Sequence, residues 1–328
     1  MRRLRLTLPA LTAIAVVSLA ACGTTEDPAA EPGDTREVSA GDAVTVTDER
    51  GEVTLDAPAQ RVVSLEWGLT ENLLSLGVEP IGAADVEGYN TWATVVPLDE
   101  GTADVGFRGE PSLDAIAALE PDLVVTTTDL PENVVEQISE SYPVLALRGS
   151  DGADPLGYLR ETLTTLGEVT GTTDEAEKLL TDFDTAVEEG AAALADAGLE
   201  GAEFTMADGW DQNGVVSIRM YTEGSFLGAV AAELGLENAW TEEGDPDYGL
   251  AQTDVEGLTG LGDVQFLYAA SDSEADPFAE GLAGNPIWEQ LPFVTAGDVH
   301  RIPDGIWMFG GPASGEAFID AVVAALTA

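Results

Sequence analysis

The sequence predicts an α/β protein of two lobes joined by one long helix. Three observations point there: short apolar runs alternate with helical patterns through the first half, a single long amphipathic segment follows, and a second alternating series runs on to the C-terminus.

In the first series the strand-like runs are 61–65, 80–84, 123–125 and 144–147, and the helical patterns are 70–76, 113–119 and 132–141. Strand and helix in alternation argue for a largely parallel sheet, because parallel neighbours need a crossover between them. The long segment, 173–197, carries Ala176, Leu179, Leu180, Phe183, Val187, Ala191 and Leu194, one buried stripe at helical spacing. Thr172 followed by Glu175 has the form of a capping box, and Gly198 stands where a left-handed stop is wanted. At ~1.5 Å per residue this helix is roughly 37 Å long, the length of a small lobe. The second series comprises 204–207, 215–218, 225–234, 254–261, 264–269, 286–291 and 299–302, then a last helix near 313–326. A weak internal echo relates the halves. Residues 112–119 match 254–261, each predicted to start a helix on a cap residue, Ser112 or Asp254, with an acid two positions later, Asp114 or Glu256. A first-turn carboxylate is stabilised by the exposed amides, so the echo alone assigns those acids no function.

The N-terminal residues read as an address. Arg2, Arg3 and Arg5 precede an apolar run over 6–19, and Leu19-Ala20-Ala21-Cys22 brings small residues and a thiol together where cleavage needs them. This is a secretory signal, 1–21, that leaves Cys22 as a lipidated first mature residue; the alternatives are a plain signal peptide or a short membrane anchor. Residues 22–42 have almost nothing to bury and read as a flexible tether. The expected organisation is then a first α/β lobe over 43–172, the connecting helix over 173–198 and a second α/β lobe over 199–328. The expected place is outside the cytoplasmic membrane, anchored to its outer face.

Charge and scarcity exclude much chemistry. With 61 Asp and Glu against 12 Lys and Arg, the formal net charge is −49. Such a field disfavours nucleic acid and anionic surfaces as partners, and favours neutral or cationic ligands over polyanionic ones. Adaptation of the surface to salt explains much of the acidity without any ligand. Cys22 is the one cysteine, so disulfides, zinc thiolate sites and cysteine nucleophiles are excluded together. One histidine, His300, and one lysine, Lys178, leave few candidates for base or nucleophile. The glycines at 309–312 lack the lysine of a phosphate loop. An enzyme, a cofactor and a directly bound metal are therefore not expected, and His300, in a strand-like run, reads as structural.

Aromatic residues and scarce cations remain. Trp67, Trp92, Trp210 and Trp307 fall next to predicted strand ends or in glycine-rich loops, where open α/β lobes place ligand contacts. Tyr89 joins this ligand-binding set. Trp288 reads as helix packing, and Trp240 is open to either reading. Arg108, in Gly106-Phe107-Arg108-Gly109-Glu110-Pro111, stands just before a helix in a chain nearly free of cations; its alternative is a surface salt bridge.

These residues together resemble the substrate-binding proteins of iron-siderophore importers, in particular the ferric hydroxamate binding proteins. Residues 61–67 with 70–78 look like the opening strand and helix; Arg108 with Pro111-Ser112-Leu113-Asp114 and 119–123 look like the middle; 225–227 with 238–240, 286–294 and 306–310 are similar to the later motifs. The resemblance implies the class III periplasmic-binding-protein type: two Rossmann-like lobes, a rigid connecting helix, a shallow cleft and little closing motion. It also implies that Arg108 donates to hydroxamate oxygens around iron and that Trp307 lines the cleft. Tyr248 stands where those proteins place another cleft tryptophan, while a pocket tyrosine near Asp129 or Leu130 is missing. Asp114 and Glu256 correspond to carboxylates that dock on the ABC permease. The implied ligand is a ferric siderophore, with no cofactor, and the protein is expected to be a monomer. A haem or cobalamin carrier of the same fold is the alternative.

Overall fold

The computed structural model describes residues 43–212 and 214–328; the signal, Cys22 and the tether lie outside the described residues. After a hairpin of β1 (Val44–Asp48) and β2 (Gly51–Leu55), the first alternating series runs β3 (Val62–Ser64), α1 (Trp67–Ser75), β4 (Gly82–Ala83), α2 (Val86–Trp92) and β5 (Ala103–Asp104). A second small hairpin, β6 (Gly106–Phe107) and β7 (Glu110–Pro111), leads to α3 (Leu113–Leu119), β8 (Leu123–Thr127), α4 (Glu132–Ser139) and β9 (Val144–Leu147). Five of these strands form one parallel sheet in the order β5-β4-β3-β8-β9. All residues of β3, β8 and β9 are buried, as expected of strands covered on both faces.

Two helices then follow end to end. The first, α5 (Pro155–Thr170), starts on Asp154, whose carboxylate accepts from Gly157 N at 3.0 Å, and stops at Gly171 with φ +73°. The second, α6 (Thr173–Asp196), is 24 residues long, and Ala176, Phe183 and Leu194 of the predicted stripe are buried. It packs along α5 and α9 (Pro312–Leu326). The capping box does not form: the Thr172 hydroxyl lies 2.8 Å from that of Thr170, which itself donates to Leu166 O, and makes no cap bond. The predicted left-handed stop is present, with Gly198 at φ +79°.

The second series runs β10 (Glu203–Asp211), β11 (Val216–Tyr221), α7 (Phe226–Glu233), β12 (Glu237–Asn238), β13 (Leu250–Thr253), β14 (Gln265–Tyr268), α8 (Pro292–Ala296) and β15 (Val299–Arg301), and ends in α9. Its sheet is ordered β13-β11-β10-β14-β15, with β12 beside β10. Strands β10, β14 and β15 run parallel, whereas β11 pairs antiparallel with both β10 and β13, so this sheet is mixed. Two α/β sheets with a long helix between them in the chain are the architecture the sequence predicts.

Several single residues settle into this frame. Trp288 packs edge-on to Phe266 at 5.6 Å, and Phe266 stacks flat on Phe293 at 4.9 Å, so Trp288 is core. Trp240 is buried as well. His300 Nε2 lies 2.8 Å from Gln265 Oε1 across β14 and β15, and burial holds its pKa below the usual value. The internal echo holds only in part. Residues 113–119 form an α-helix, but their counterpart is a single tight 3-10 turn over Gly257–Gly260. Gly257 and Gly260 stand where the first segment has Ala115 and Ala118, and each glycine disfavours an α-helix by roughly 1 kcal/mol.

Candidate functional site

A cavity of about 810 Å³ opens at the C-terminal ends of β3, β8, β10 and β14, with residues from both sheets' loops on its walls. That position follows from the topology, since open α/β sheets leave a crevice at those strand ends. Of the residues singled out in the sequence, Trp67, Trp92, Arg108, Trp210, Tyr248 and Trp307 line it. Tyr89 does not. It faces inward from α2, fully buried, with its hydroxyl donating to Val96 O at 2.7 Å and its ring edge-on to Trp67 at 6.5 Å. It supports the wall from behind.

The aromatic wall is continuous. The rings of Trp67 and Trp307 meet edge-on at 4.9 Å, Trp307 meets Phe309 at 5.2 Å, and Phe309 meets Tyr248 at 5.4 Å. Trp67 is held by its own indole N–H, which donates to Ala84 O at 3.1 Å. Gly68 lets α1 reach the loop of Phe309, for a Cβ there would lie 2.4 Å from the Phe309 carbonyl oxygen. Gly149 does the same for Tyr248, whose hydroxyl sits 1.7 Å from where a Cβ would be.

Three guanidinium groups reach the cavity, and all are neutralised. Arg108 lies 3.9 Å over the Trp67 ring and 5.5 Å from that of Trp307, and donates to Glu66 Oε1 at 2.9 Å. It is thus both a cavity residue and a salt-bridge partner. Burial pushes the Glu66 carboxyl up, opposed by the charge of Arg108. Arg219, on β11, forms a two-pronged pair with Asp208, donates to the Tyr221 hydroxyl at 3.1 Å, and lies 5.3 Å from the Phe309 ring. Arg148 lies 4.3 Å over Tyr158 and pairs with Glu49 at 3.0 Å and Asp151 at 2.7 Å. Sequence reasoning did not place Arg148 or Arg219 at the cleft; the one signal available was the rarity of cations beside aromatic residues.

Carboxylates outnumber these cations. Besides the paired Glu66 and Asp208, the walls hold Asp129, Asp211 and Glu274, which have no cationic partner among the described residues. Asp129 accepts from the Thr127 hydroxyl at 2.9 Å and from the Tyr248 hydroxyl, which reaches it from the other sheet's loops. The place where a pocket tyrosine is missing thus receives a tyrosine from the opposite side. No group of three or more His, Cys, Asp or Glu able to hold a metal ion occurs among the described residues. The arrangement offers aromatic faces and directed donors, suited to enclosing a bulky compact ligand.

Asp114 and Glu256 lie elsewhere. Both are exposed, Asp114 in the first turn of α3 and Glu256 just ahead of the 3-10 turn at 257–260.

Known proteins resemble this chain in sequence and fold. The chain is 27% identical to the iron(3+)-hydroxamate-binding protein FhuD of Escherichia coli over 260 residues, covering 79% of this chain and 84% of that protein. It is 25% identical to a probable siderophore-binding lipoprotein, YfiY, of Bacillus subtilis over 323 residues, covering 91% and 90%. Its structure is similar to that of the siderophore-binding protein FhuD of Vibrio cholerae bound to Fe3+-Desferal, with a TM-score of 0.71 and 27% identity over 82% of this chain and 98% of that one. The chain therefore resembles the iron-siderophore substrate-binding proteins of ABC importers, ferric hydroxamate binders among them. Residues 62–305 match the periplasmic binding protein family, and the chain belongs to it.

Proposed function

We propose that this protein is the lipoprotein substrate-binding component of an ABC importer, capturing a ferric siderophore of the hydroxamate type between its two lobes and delivering it to the permease. The lobes are 43–172 and 199–328, with 173–198 as the connecting helix. The observation that carries the ligand class is the charge pattern of the cavity: Arg108, Arg148 and Arg219 are all ion-paired, while Asp129, Asp211 and Glu274 have no cation beside them. Three hydroxamates neutralise Fe(III), so their complex needs no counter-charge. A tris-catecholate complex is strongly anionic and meets no free cation here. Aromatic faces from Trp67, Trp92, Trp210, Tyr248 and Trp307 would enclose the chelate, and the unused N–H groups of Arg108 would donate to hydroxamate oxygens.

The remaining parts of the reading are proposed on the resemblance to the family. Cys22 would carry the lipid that holds the protein at the outer face of the membrane, and Asp114 and Glu256 would meet the permease. The protein acts as a monomer, without a cofactor and without catalysis. A haem or cobalamin ligand finds no support in His300, which lies between strands and not on the cavity wall. Titration of tryptophan emission with ferrioxamine, ferrichrome, a ferric catecholate, haem and cobalamin tests the reading. Quenching by the two hydroxamates is expected; a response to haem or cobalamin alone would overturn it.

A further inference from the structure

Glu71 is a carboxylate with no access to solvent and no cation in contact. It lies on the inner face of α1, and its partners are 240 residues away in the chain, at the start of α9. Oε1 accepts from Gly311 N at 2.7 Å and from Ser314 N at 3.2 Å, so it completes the first turn of the 15-residue α9 from outside. Oε2 accepts from the Ser314 hydroxyl at 2.7 Å, and that hydroxyl oxygen in turn accepts from Trp307 N at 3.1 Å. One chain of hydrogen bonds therefore links a buried acid to the backbone of the tryptophan that walls the cavity. Phe309 sits on the same loop.

We infer that Glu71 is a positioning residue for the ligand wall, which holds the loop of Trp307 and Phe309 through Ser314 when ionised and loosens it when protonated. This rests on the reading of that wall as the ligand site. An ionised buried acid without a counter-ion cannot release a donor, because each lost bond leaves uncompensated charge. The neutral acid can. It turns its own O–H toward the Ser314 oxygen, and the serine hydrogen is left without its acceptor. The proton comes from and returns to solvent, and the serine hydroxyl, rotating to find another acceptor, gives up the lone pair that Trp307 N uses.

The setting makes this change accessible near neutrality. Burial pushes the Glu71 carboxyl up to about 7, against the hydrogen bonds from Ser314 and Gly311 that favour its ionised form. Its surroundings add little else that titrates. Asn72, beside Gly311, is neutral, and Tyr89 on α2 feels the Glu71 charge but has its own pKa raised, chiefly by burial. Affinity should therefore fall as pH drops through this range.

The experiment uses the full-length protein in detergent, with ferrioxamine affinity and amide hydrogen exchange over residues 307–314 measured from pH 8 to pH 6. In the wild type, affinity should weaken by roughly tenfold on acidification, the equivalent of about one hydrogen bond, and protection of 307–314 should fall after correction for intrinsic exchange. Glu71→Gln resembles the protonated acid, donating to Ser314 where the carboxylate accepts, so both quantities should sit at the low plateau and stay flat with pH. Ser314→Ala keeps Glu71 and its amide donors but cuts the link, so exchange at Trp307 should lose its pH dependence. A Glu71→Gln profile that follows the wild type overturns the inference, as does a retained pH response at Trp307 in Ser314→Ala if Glu71→Gln does not fold. If the wild type binds no ferrioxamine at any pH, the functional reading fails by itself, and exchange alone decides the role of Glu71.

Discussion

The Tyr248 hydroxyl donates to the Asp129 carboxylate across the cleft, joining residues 119 positions apart and closing one flank of the cavity. Gly152 N donates to Pro246 O at 3.1 Å beside it, so the two sheets' loops touch here even without ligand. A chelate entering or leaving on this side must pass that contact. Tyr248→Phe keeps the ring on Phe309 and removes the bond; stopped-flow quenching should show faster dissociation with an affinity loss of less than about 1.4 kcal/mol, since Asp129 is exposed. Tyr248→Ala removes the ring too and should cost about 1 to 3 kcal/mol.

Trp307→Ala should weaken chelate binding by about 1 to 3 kcal/mol, because it removes the ring between Trp67 and Phe309. Titration calorimetry against ferrioxamine measures the loss directly. An unchanged affinity would take Trp307 out of the ligand wall.

Arg108→Ala should cost more than Arg160→Ala. Arg160 pairs with Asp184 on the outside of α5 and α6, away from the cavity, and serves as the reference that Arg148 cannot, since Arg148 itself lines the wall. A charge-assisted donor contributes roughly 1.5 to 3 kcal/mol when fully desolvated; at 36% side-chain exposure, about 1 to 2 kcal/mol is expected for Arg108. Equal and negligible losses would leave Arg108 as the partner of Glu66 and nothing more.

How much of this was legible in the sequence depends on how far apart the partners lie. The stripe of α6 and the stop at Gly198 are local signals, and both are present in the structure. Strand-end aromatics are legible in the same way, because strand ends and loops can be read from nearby turn residues. Tyr89 fails that logic: although it lies one helical turn from cavity-lining Trp92, its ring is fully buried behind Trp67. Pairings such as Arg219 with Asp208, Tyr248 with Asp129, or Glu71 with Ser314 depend on register and on packing between elements. No local pattern encodes them, and in a chain with 61 acids no single carboxylate stands out. The same locality misleads at 254–261, where the cap-and-acid pattern points to a helix that Gly257 and Gly260 weaken.

The buried acid also sets a pH dependence of stability. Its folded pKa, about 7, exceeds the ordinary 4.5, so the folded state holds the proton more tightly. Stability from this group is fully present below 4.5 and is lost as pH rises through 7, by about 3 kcal/mol in all. Urea unfolding at pH 5 and pH 8 should show that loss in the wild type beyond any loss in Glu71→Gln. Equal losses in both would mean that the carboxyl titrates normally.

Replacing Asp114 and Glu256 together by lysine should leave folding and chelate binding near normal, since each is exposed and Asp114, the one of the two in a helical first turn, contributes about 0.3 to 1 kcal/mol. Uptake of iron chelate by cells should fail, because like charges would face the permease. Normal uptake at matched expression would return both acids to ordinary surface residues.

On the proposed reading the cavity takes a ferric hydroxamate and disfavours added negative charge. Calorimetry with three chelates sharing one ferric trihydroxamate core, whose tails end in an ammonium, an acetamide or a carboxylate, tests it most directly. The ammonium and acetamide forms should bind, and the carboxylate form should bind more weakly, by about 1 kcal/mol or more at low salt. Failure of all three to bind, or tighter binding of the carboxylate form or of a ferric tris-catecholate, would rule out a hydroxamate site of this charge preference.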